Sequence, residues 1–254
     1  VIRVDDGSTD GTGEALAGMA AEEFHIIRHA HNRGYGAALR TGFEAAKFAF
    51  VAITDGDGTY PDERLPEFFR EMLAGGFDMV VGARTGAAAK IPWSRRPAKW
   101  ALGKLAIFLT GTKIPDINSG LRIMRKSVVE RFWKILPDGF SFTTTITLAM
   151  LTNGYNVKFI EINYERRVGR SKIRPIYDTL NFVQIICRTT LYFNPLRIFL
   201  PLSAALAALA VAVLVGSLLF LEKAMDVTFG VLFMTAVMVM AIGLLADLID
   251  KRLG

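Results

Sequence analysis

The sequence predicts an α/β protein with a doubly wound, Rossmann-like sheet, followed by an interfacial helix and a two-helix transmembrane hairpin. Three observations carry that expectation. Short apolar runs at residues 1–4, 48–53 and 77–81 each end in carboxylates or turn residues and read as buried strands. Helical stretches at about 13–23, 36–47 and 61–74 alternate with them, and alternation implies parallel strands joined by crossover helices. No residue is charged in 198–221 or in 227–246, so each run reaches the length that crosses a bilayer as a helix.

These runs divide the 254 residues into an α/β unit over 1–172, a juxtamembrane amphipathic segment over 173–194 and a membrane unit over 195–254. The spans of the membrane unit fall at about 198–221 and 227–249. A pair of buried core helices would instead keep a polar stripe, and these runs have none. The loop Glu222-Lys223-Ala224-Met225-Asp226 is too short for anything but a hairpin, so both outer ends lie on one side. That side carries Arg188, Arg197, Lys251 and Arg252, and the positive-inside rule makes the protein multi-pass with its large domain cytoplasmic. A single cysteine, Cys187, permits no internal disulfide and agrees with a reducing compartment. The net charge of +6 gathers near the spans, where anionic headgroups and phosphates are simpler partners than nucleic acid, so no nucleic-acid partner is expected.

Beyond Arg84 the alternation gives way to a basic segment with Lys90, Arg95, Arg96, Lys99 and Lys104, then to an apolar helix at about 100–109. Residues 116–122 read as a loop entering a short strand, 127–136 and 144–152 as helices, and 157–164 as a strand. Residues 173–192 mix Ile, Leu, Phe and Tyr with Arg174, Asp178 and Arg188, the pattern of an interfacial helix that lies on the lipid bilayer.

Ligands of open α/β sheets bind at the carboxyl ends of strands, and Asp5, Asp6, Asp55 and Asp57 all fall there. Asp55-Gly56-Asp57-Gly58 puts two hard carboxylates within reach of one cation, Mg²⁺ or Mn²⁺, with a substrate diphosphate as the third party. The alternative is an acidic turn that caps the helix after Pro61. Asp5 and Asp6 could likewise belong to a capping turn with Ser8, Thr9 or Thr12. Capping needs one such residue, however, and two adjacent carboxylates are better explained by hydrogen bonds to a base or ribose. Gly34 and Gly36 do not complete a dinucleotide fingerprint, because position 39 is Leu. His25, His29 and His31 have no acidic or Cys cluster beside them and read as structural; Cys187 has no evident base.

Taken together, these residues resemble the family 2 glycosyltransferases of GT-A fold, and within them the polyprenol-phosphate hexosyltransferase branch. Members carry V-D-D-G-S-T-D-G-T, matched from Val4 to Thr12, and N-x-G-x-G-x-A, matched from Asn32 to Ala38. They also carry the D-x-D at Asp55 and Asp57, G-x-R at Gly82-Ala83-Arg84, and D-x-x-S-G-x-R from Asp116 to Arg122. Last comes R-x-x-G-x-S-K at Arg166, Gly169, Ser171 and Lys172. The family's opening strand, with its P-x-Y-N-E turn, would precede Val1. Thr59 stands where some dolichol-phosphate mannose synthases place Gln.

The resemblance implies inverting transfer of a hexose from a nucleotide sugar, GDP-mannose or UDP-glucose, to polyprenyl or dolichyl phosphate. Asp5, Asp6, Gly34, Asp55 and Asp57 would bind the nucleotide sugar, with Asp55 and Asp57 on the metal. Arg84, Arg96, Lys99, Ser119, Arg122, Arg166, Ser171 and Lys172 would bind the acceptor phosphate. Asp57, Asp116, Arg84 and Arg166 would serve catalysis. Asp116 is left open between general base and positioning residue, since a phosphate acceptor is anionic near neutral pH and needs no strong base. The branch further implies a homo-oligomer associated through its membrane helices. Two rivals remain: a transferase acting on a sugar hydroxyl in polysaccharide synthesis, which would carry a Q-x-x-R-W-type motif not found here, and a non-catalytic membrane scaffold with a degenerate transferase domain.

Overall fold

The computed structural model describes residues 1–18, 24–85, 104, 107–108, 110–139, 141–163, 175–220 and 225–253. They fall into two compact units, Val1–Ile185 and Ile186–Gly254.

In the first unit the chain opens with β1 (Ile2–Asp5), α1 (Thr12–Gly18), β2 (His25–Arg28) and α2 (Tyr35–Ala45). β1 and β2 pair in parallel, Ile2 opposite His25 and Asp5 opposite Arg28. β2 contains only two apolar residues, Ile26 and Ile27, and for that reason no strand is expected there from hydrophobic pattern. Next come β3 (Phe50–Ile53), a short 3-10 helix at Asp62–Arg64, α3 (Leu65–Ala74) and β4 (Met79–Ala83). These reproduce the predicted alternation. α3 is amphipathic: Phe68 and Met72, four residues apart, are buried against the sheet, and Glu67 and Arg70 face water.

β5 (Arg122–Arg125), α4 (Lys126–Arg131), α5 (Phe142–Thr152) and β6 (Val157–Glu161) complete this unit. The second sheet has the order β3-β5-β4-β6. β5 is antiparallel to both β3 and β4, and β6 is parallel to β4, so the sheet is mixed rather than wholly parallel. β5 begins at Arg122, far along the chain from the end of β4 at Ala83, and lies between β3 and β4; an antiparallel partner needs no right-handed crossover of the kind that joins parallel neighbours. As a central strand it is buried on both faces, with Ile123 and Met124 closed from solvent. α4 stops short of the expected 127–136, in turns that precede Pro137. The core gathers Tyr60, Phe68, Met72, Val80, Leu121, Ile123 and Ile162, with Phe50, Leu65, Phe77 and Ile160 packed against it. Tyr60 and Leu121 tie this core to the carboxyl ends of β3 and β4, where the predicted site lies.

α6 (Pro175–Phe193) follows, and covers the expected juxtamembrane helix. The second unit contains α7 (Leu196–Phe220) and α8 (Asp226–Leu253). Spans of 25 and 24 residues give about 36 Å of helix at ~1.5 Å per residue, enough for a hydrocarbon core of ~30 Å. Small residues let the two helices approach: Ala210 and Ala236 are buried, and the Ser203 hydroxyl donates to the Ala236 carbonyl at 2.9 Å. Near the turn the Met225 N–H donates to Ser217 Oγ at 3.0 Å. The outward faces, Leu209, Leu218, Val231, Met238 and Leu245 among them, are exposed apolar surface suited to lipid. Two long apolar helices joined in this way fit a membrane hairpin.

Candidate active site

Asp55 leaves β3 half-buried, and Asp57 stands exposed two residues on. Asp57 is organised by its own turn: the Thr59 N–H and hydroxyl donate to its Oδ1 at 3.2 and 2.6 Å. Asp55 is held from elsewhere. The Tyr35 hydroxyl at the start of α2 donates to Asp55 Oδ1 at 3.3 Å. Burial and the Asp55 charge push that phenol above its ordinary value, so it stays a donor. Gly120, just before β5, lies against the same carboxylate. A Cβ on Gly120 would sit 2.7 Å from Asp55 Oδ1 and 2.8 Å from its Cγ and Oδ2. The Gly120 N–H donates to the Tyr60 hydroxyl at 2.8 Å, so Tyr60, three residues after Asp57, pins the 116–122 loop over the D-x-D turn.

This geometry removes the capping alternative. The 3-10 helix before α3 has Pro61 at its N-cap with no side-chain cap, and it is Asp62, not Asp55 or Asp57, that takes the Thr54 hydroxyl at 2.6 Å.

Arg84 and Asp116 form a fork. Arg84 Nε and Nη2 donate to Asp116 Oδ2 and Oδ1 at 2.7 and 3.0 Å, and the Arg84 backbone N–H adds a bond to Oδ2 at 3.1 Å. Burial alone would raise the Asp116 carboxyl. The hydrogen bonds and charge of Arg84, with the Asn118 N–H, outweigh it and hold the group below the usual carboxylate range. Asp116 is therefore ionised at neutral pH and engaged by the Arg84 guanidinium and the Arg84 and Asn118 backbone N–H groups. The stability this pair contributes is present above the ordinary Asp range and is lost as pH falls through the lowered folded value. Asp116→Asn should cost about 3 kcal/mol at pH 7 by leaving Arg84 without its partner. In denaturant titrations the difference from wild type should shrink below about pH 4, the ordinary Asp range. A pH-independent difference would show that the pair carries no ionic linkage.

Arg122 departs from its expected role as an acceptor-phosphate ligand. It is fully buried. Its Nε and Nη2 donate to the Ser119 carbonyl, and its Nη1 to the Thr143 carbonyl at 3.1 Å and to the Thr147 hydroxyl at 2.9 Å. Burial lowers its pKa to about 10, so it remains charged, locked beneath the site as the brace between the 119–122 segment and α5. The Ser119 hydroxyl, also buried, has no hydrogen-bond partner among the described residues.

Gly34 also departs from expectation. Its φ of +105° suits glycine, and a Cβ there would lie 2.5 Å from the Asp138 carbonyl; at Gly36 it would lie 2.1 Å from the Pro137 carbonyl. The Gly34 N–H is used by Asp6 Oδ2 at 2.8 Å, so these glycines seat the turn against residues 137–138 instead of facing a nucleotide. Asp6 Oδ1 takes His29 Nδ1 at 2.7 Å and the Arg33 N–H at 2.9 Å, making three of the ~four bonds a carboxylate accepts. His29 continues to the Thr41 hydroxyl at 2.9 Å and is structural, as expected. Asp5 is buried; its Oδ1 takes the Ser8 N–H at 2.9 Å, and Arg28 Nε lies 3.2 Å from its Oδ2. Both carboxylates thus organise the β1 turn first.

Arg96, Lys99, Arg166, Ser171 and Lys172 lie outside the described residues. Tyr35, Tyr60 and Gly120 are the site residues that reading for charge does not find; Tyr60 could have been noticed from its place directly after the acidic turn.

No three His, Cys, Asp or Glu side chains gather among the described residues. Two carboxylates two residues apart suit Mg²⁺ or Mn²⁺, which take one or two carboxylates and complete their shell with water and substrate phosphate, better than they suit structural zinc with its His and Cys ligands.

Residues 1–133 match the family described as glycosyl transferase family 2, and residues 194–251 match the GtrB C-terminal hairpin. A dolichyl-phosphate hexose transferase of Haloferax volcanii is 33% identical over 171 residues, covering 67% of this chain and 72% of the relative. A polyprenol monophosphomannose synthase of Mycolicibacterium smegmatis is 30% identical over 185 residues, covering 68% of this chain and 69% of the relative. Among solved structures, glucosyl-3-phosphoglycerate synthase from Mycobacterium tuberculosis, in complex with Mn²⁺ and UDP-glucose, superposes with a TM-score of 0.55. The identity is 17%, with 74% of this chain and 67% of that one covered, a likeness of fold.

Proposed function

Because the chain belongs to glycosyl transferase family 2 and is a glycosyltransferase, we propose that it moves a hexose from a nucleoside-diphosphate sugar to a polyprenyl or dolichyl phosphate. The observation that carries this reading is that the 116–122 loop at the strand ends sets Gly120 against the Asp55 carboxylate, which Tyr35 also holds, and forks Arg84 through Asp116. The Asp55 carboxylate for a metal-bound diphosphate and the Arg84 guanidinium for phosphate both lie within charge range of Tyr60. A lipid phosphate also accounts for the second unit, since its tail partitions into a bilayer and its anionic head calls for arginine. Relatives whose names specify dolichyl and polyprenol phosphates support the same acceptor.

In this proposal Asp55 and Asp57 hold Mg²⁺ or Mn²⁺, which when bound neutralises charge on the diphosphate. The chain's own residues do the rest. Tyr35 and Gly120 fix the Asp55 carboxylate. Asp116 holds Arg84 in a single rotamer with its charge beside the reacting phosphate groups. An oxygen of the lipid phosphate attacks the anomeric carbon, the bond from that carbon to the diphosphate oxygen breaks, and configuration inverts. No strong base is needed, consistent with an Asp116 that stays ionised on Arg84.

The finer assignments belong to the same reading. The last acceptor site on Asp6 faces the nucleotide, whereas Asp5, expected there too, is buried on Ser8 and Arg28 and holds the turn from beneath; Arg96, Lys99, Arg166, Ser171 and Lys172 supply cations and a hydroxyl for the acceptor phosphate. The transferase unit is cytoplasmic by the excess of Arg188, Arg197, Lys251 and Arg252 over the charges of the hairpin loop. The hairpins associate in a homo-oligomer. The donor is GDP-mannose or UDP-glucose, and the test is a panel of labelled nucleotide sugars offered with polyprenyl phosphate to the protein in vesicles. One donor should exceed the others by at least about tenfold, a difference of ~1.4 kcal/mol. Label that enters no lipid from any donor would refute the reading.

A further inference from the structure

Asn118 stands exposed beside the Arg84–Asp116 fork, its backbone N–H donating to Asp116 Oδ1 at 3.2 Å. Its side chain is held from α5. The hydroxyls of Thr143 and Thr144, both buried in the first turn of that helix, donate to Asn118 Oδ1 at 2.8 and 3.4 Å. A side-chain amide normally offers a substrate one acceptor and two donors, the pairing suited to a hydroxyl, which both gives and takes. Here the Thr143 hydroxyl occupies one acceptor direction of Oδ1 and the Thr144 hydroxyl approaches the other, so Oδ1 is turned toward α5. The outward part of the amide is therefore Nδ2, a donor alone, and its complement is a group that only accepts. A phosphate oxygen is such a group, and a positively charged neighbour, Arg84, is joined to Asn118 through Asp116.

We propose that Asn118 is a substrate-binding residue whose Nδ2 donates to a phosphate oxygen, with Thr143 and Thr144 as the residues that turn the amide to do so. Two phosphates could bring that oxygen: the diphosphate of the nucleotide sugar and the monophosphate of the lipid acceptor. Both present the same chemistry. The inference rests on the transferase reaction proposed above.

The experiment measures KM for nucleotide sugar and for polyprenyl phosphate separately, with kcat and thermal stability, in the reconstituted protein and in Asn118→Ala, Asn118→Asp and Thr143→Val/Thr144→Val. Loss of one charge-assisted hydrogen bond should raise one of the two KM values about tenfold in Asn118→Ala. A rise for polyprenyl phosphate identifies the lipid monophosphate; a rise for the nucleotide sugar identifies the diphosphate. Asn118→Asp keeps the acceptor for the two threonines and repels phosphate, so it should raise the same KM further with thermal stability unchanged. The double valine variant should raise that KM by a smaller factor, and adding it to Asn118→Ala should change nothing more. KM values within twofold of wild type in both Asn118 variants would overturn the inference, as would a fall in stability with no KM change. If wild type itself transfers no sugar, the transferase reading fails and this inference falls with it; wild-type transfer with unaltered variants defeats this inference alone.

Discussion

Asp57→Ala should abolish sugar transfer while leaving the fold in place. Asp57 is exposed and accepts hydrogen bonds from the backbone N–H and hydroxyl of Thr59 in its own turn, so its removal should cost about 1 kcal/mol of stability. The effect on catalysis belongs to a different scale. Charge develops on the leaving diphosphate, and removing one preorganised partner of such charge lowers kcat by roughly 10²–10³-fold. Here the alanine also halves the carboxylate pair that would hold the cation, so a loss of at least ~10³-fold, about 4 kcal/mol, is expected. Initial rates at saturating donor and acceptor, paired with a thermal melt, separate the two scales. A variant with wild-type melting and wild-type rate would remove Asp57 from the mechanism.

Gly120→Ala tests the same site without altering any charge. The added methyl would stand 2.7–2.8 Å from three atoms of the Asp55 carboxylate, well inside ordinary contact. Asp55 has a short side chain that can turn aside, so the chain should still fold. The carboxylate, however, must leave the place it holds under Tyr35. Misplacement of a reacting group by about 1 Å costs on the order of 10²-fold, and that is the expected drop in kcat/KM. The metal concentration for half-maximal activity should rise with it, which distinguishes a displaced Asp55 from general damage. Unchanged metal dependence would place the Asp55 carboxylate outside the cation's shell.

The contrast between these residues shows how far the sequence reaches. Asp55, Asp57, Arg84 and Asp116 are legible because carboxylates and a guanidinium at strand ends have few other uses, and their order matches a family pattern. Gly120, Gly34 and Gly36 are legible only as glycines. What each makes room for, the Asp55 carboxylate or the carbonyls of Pro137 and Asp138, is fixed by contacts across long stretches of chain. Arg122 is the instructive case. An arginine in a binding motif reads as a ligand, yet two carbonyls and a buried hydroxyl solvate it internally, and it becomes a brace. Threonines at 143, 144 and 147 carry little pattern signal, although they hold Arg122 and Asn118 in place.

The fold divides in the same way. Strand and helix alternation located β1, β3, β4 and their helices, and the uncharged runs located α7 and α8. β2 escaped because its apolar content is two residues, and the antiparallel run of β5 escaped because direction depends on the connection before it, not on the strand's own residues.

The most direct test of the central claim is the acceptor itself. The protein in phospholipid vesicles with Mg²⁺ or Mn²⁺ and its labelled nucleotide sugar would be offered polyprenyl phosphate, the unphosphorylated polyprenol, or a free oligosaccharide. The account predicts label in the phosphorylated lipid alone, dependent on the metal. Equal labelling of the polyprenol, or label in the oligosaccharide with none in lipid phosphate, would contradict it.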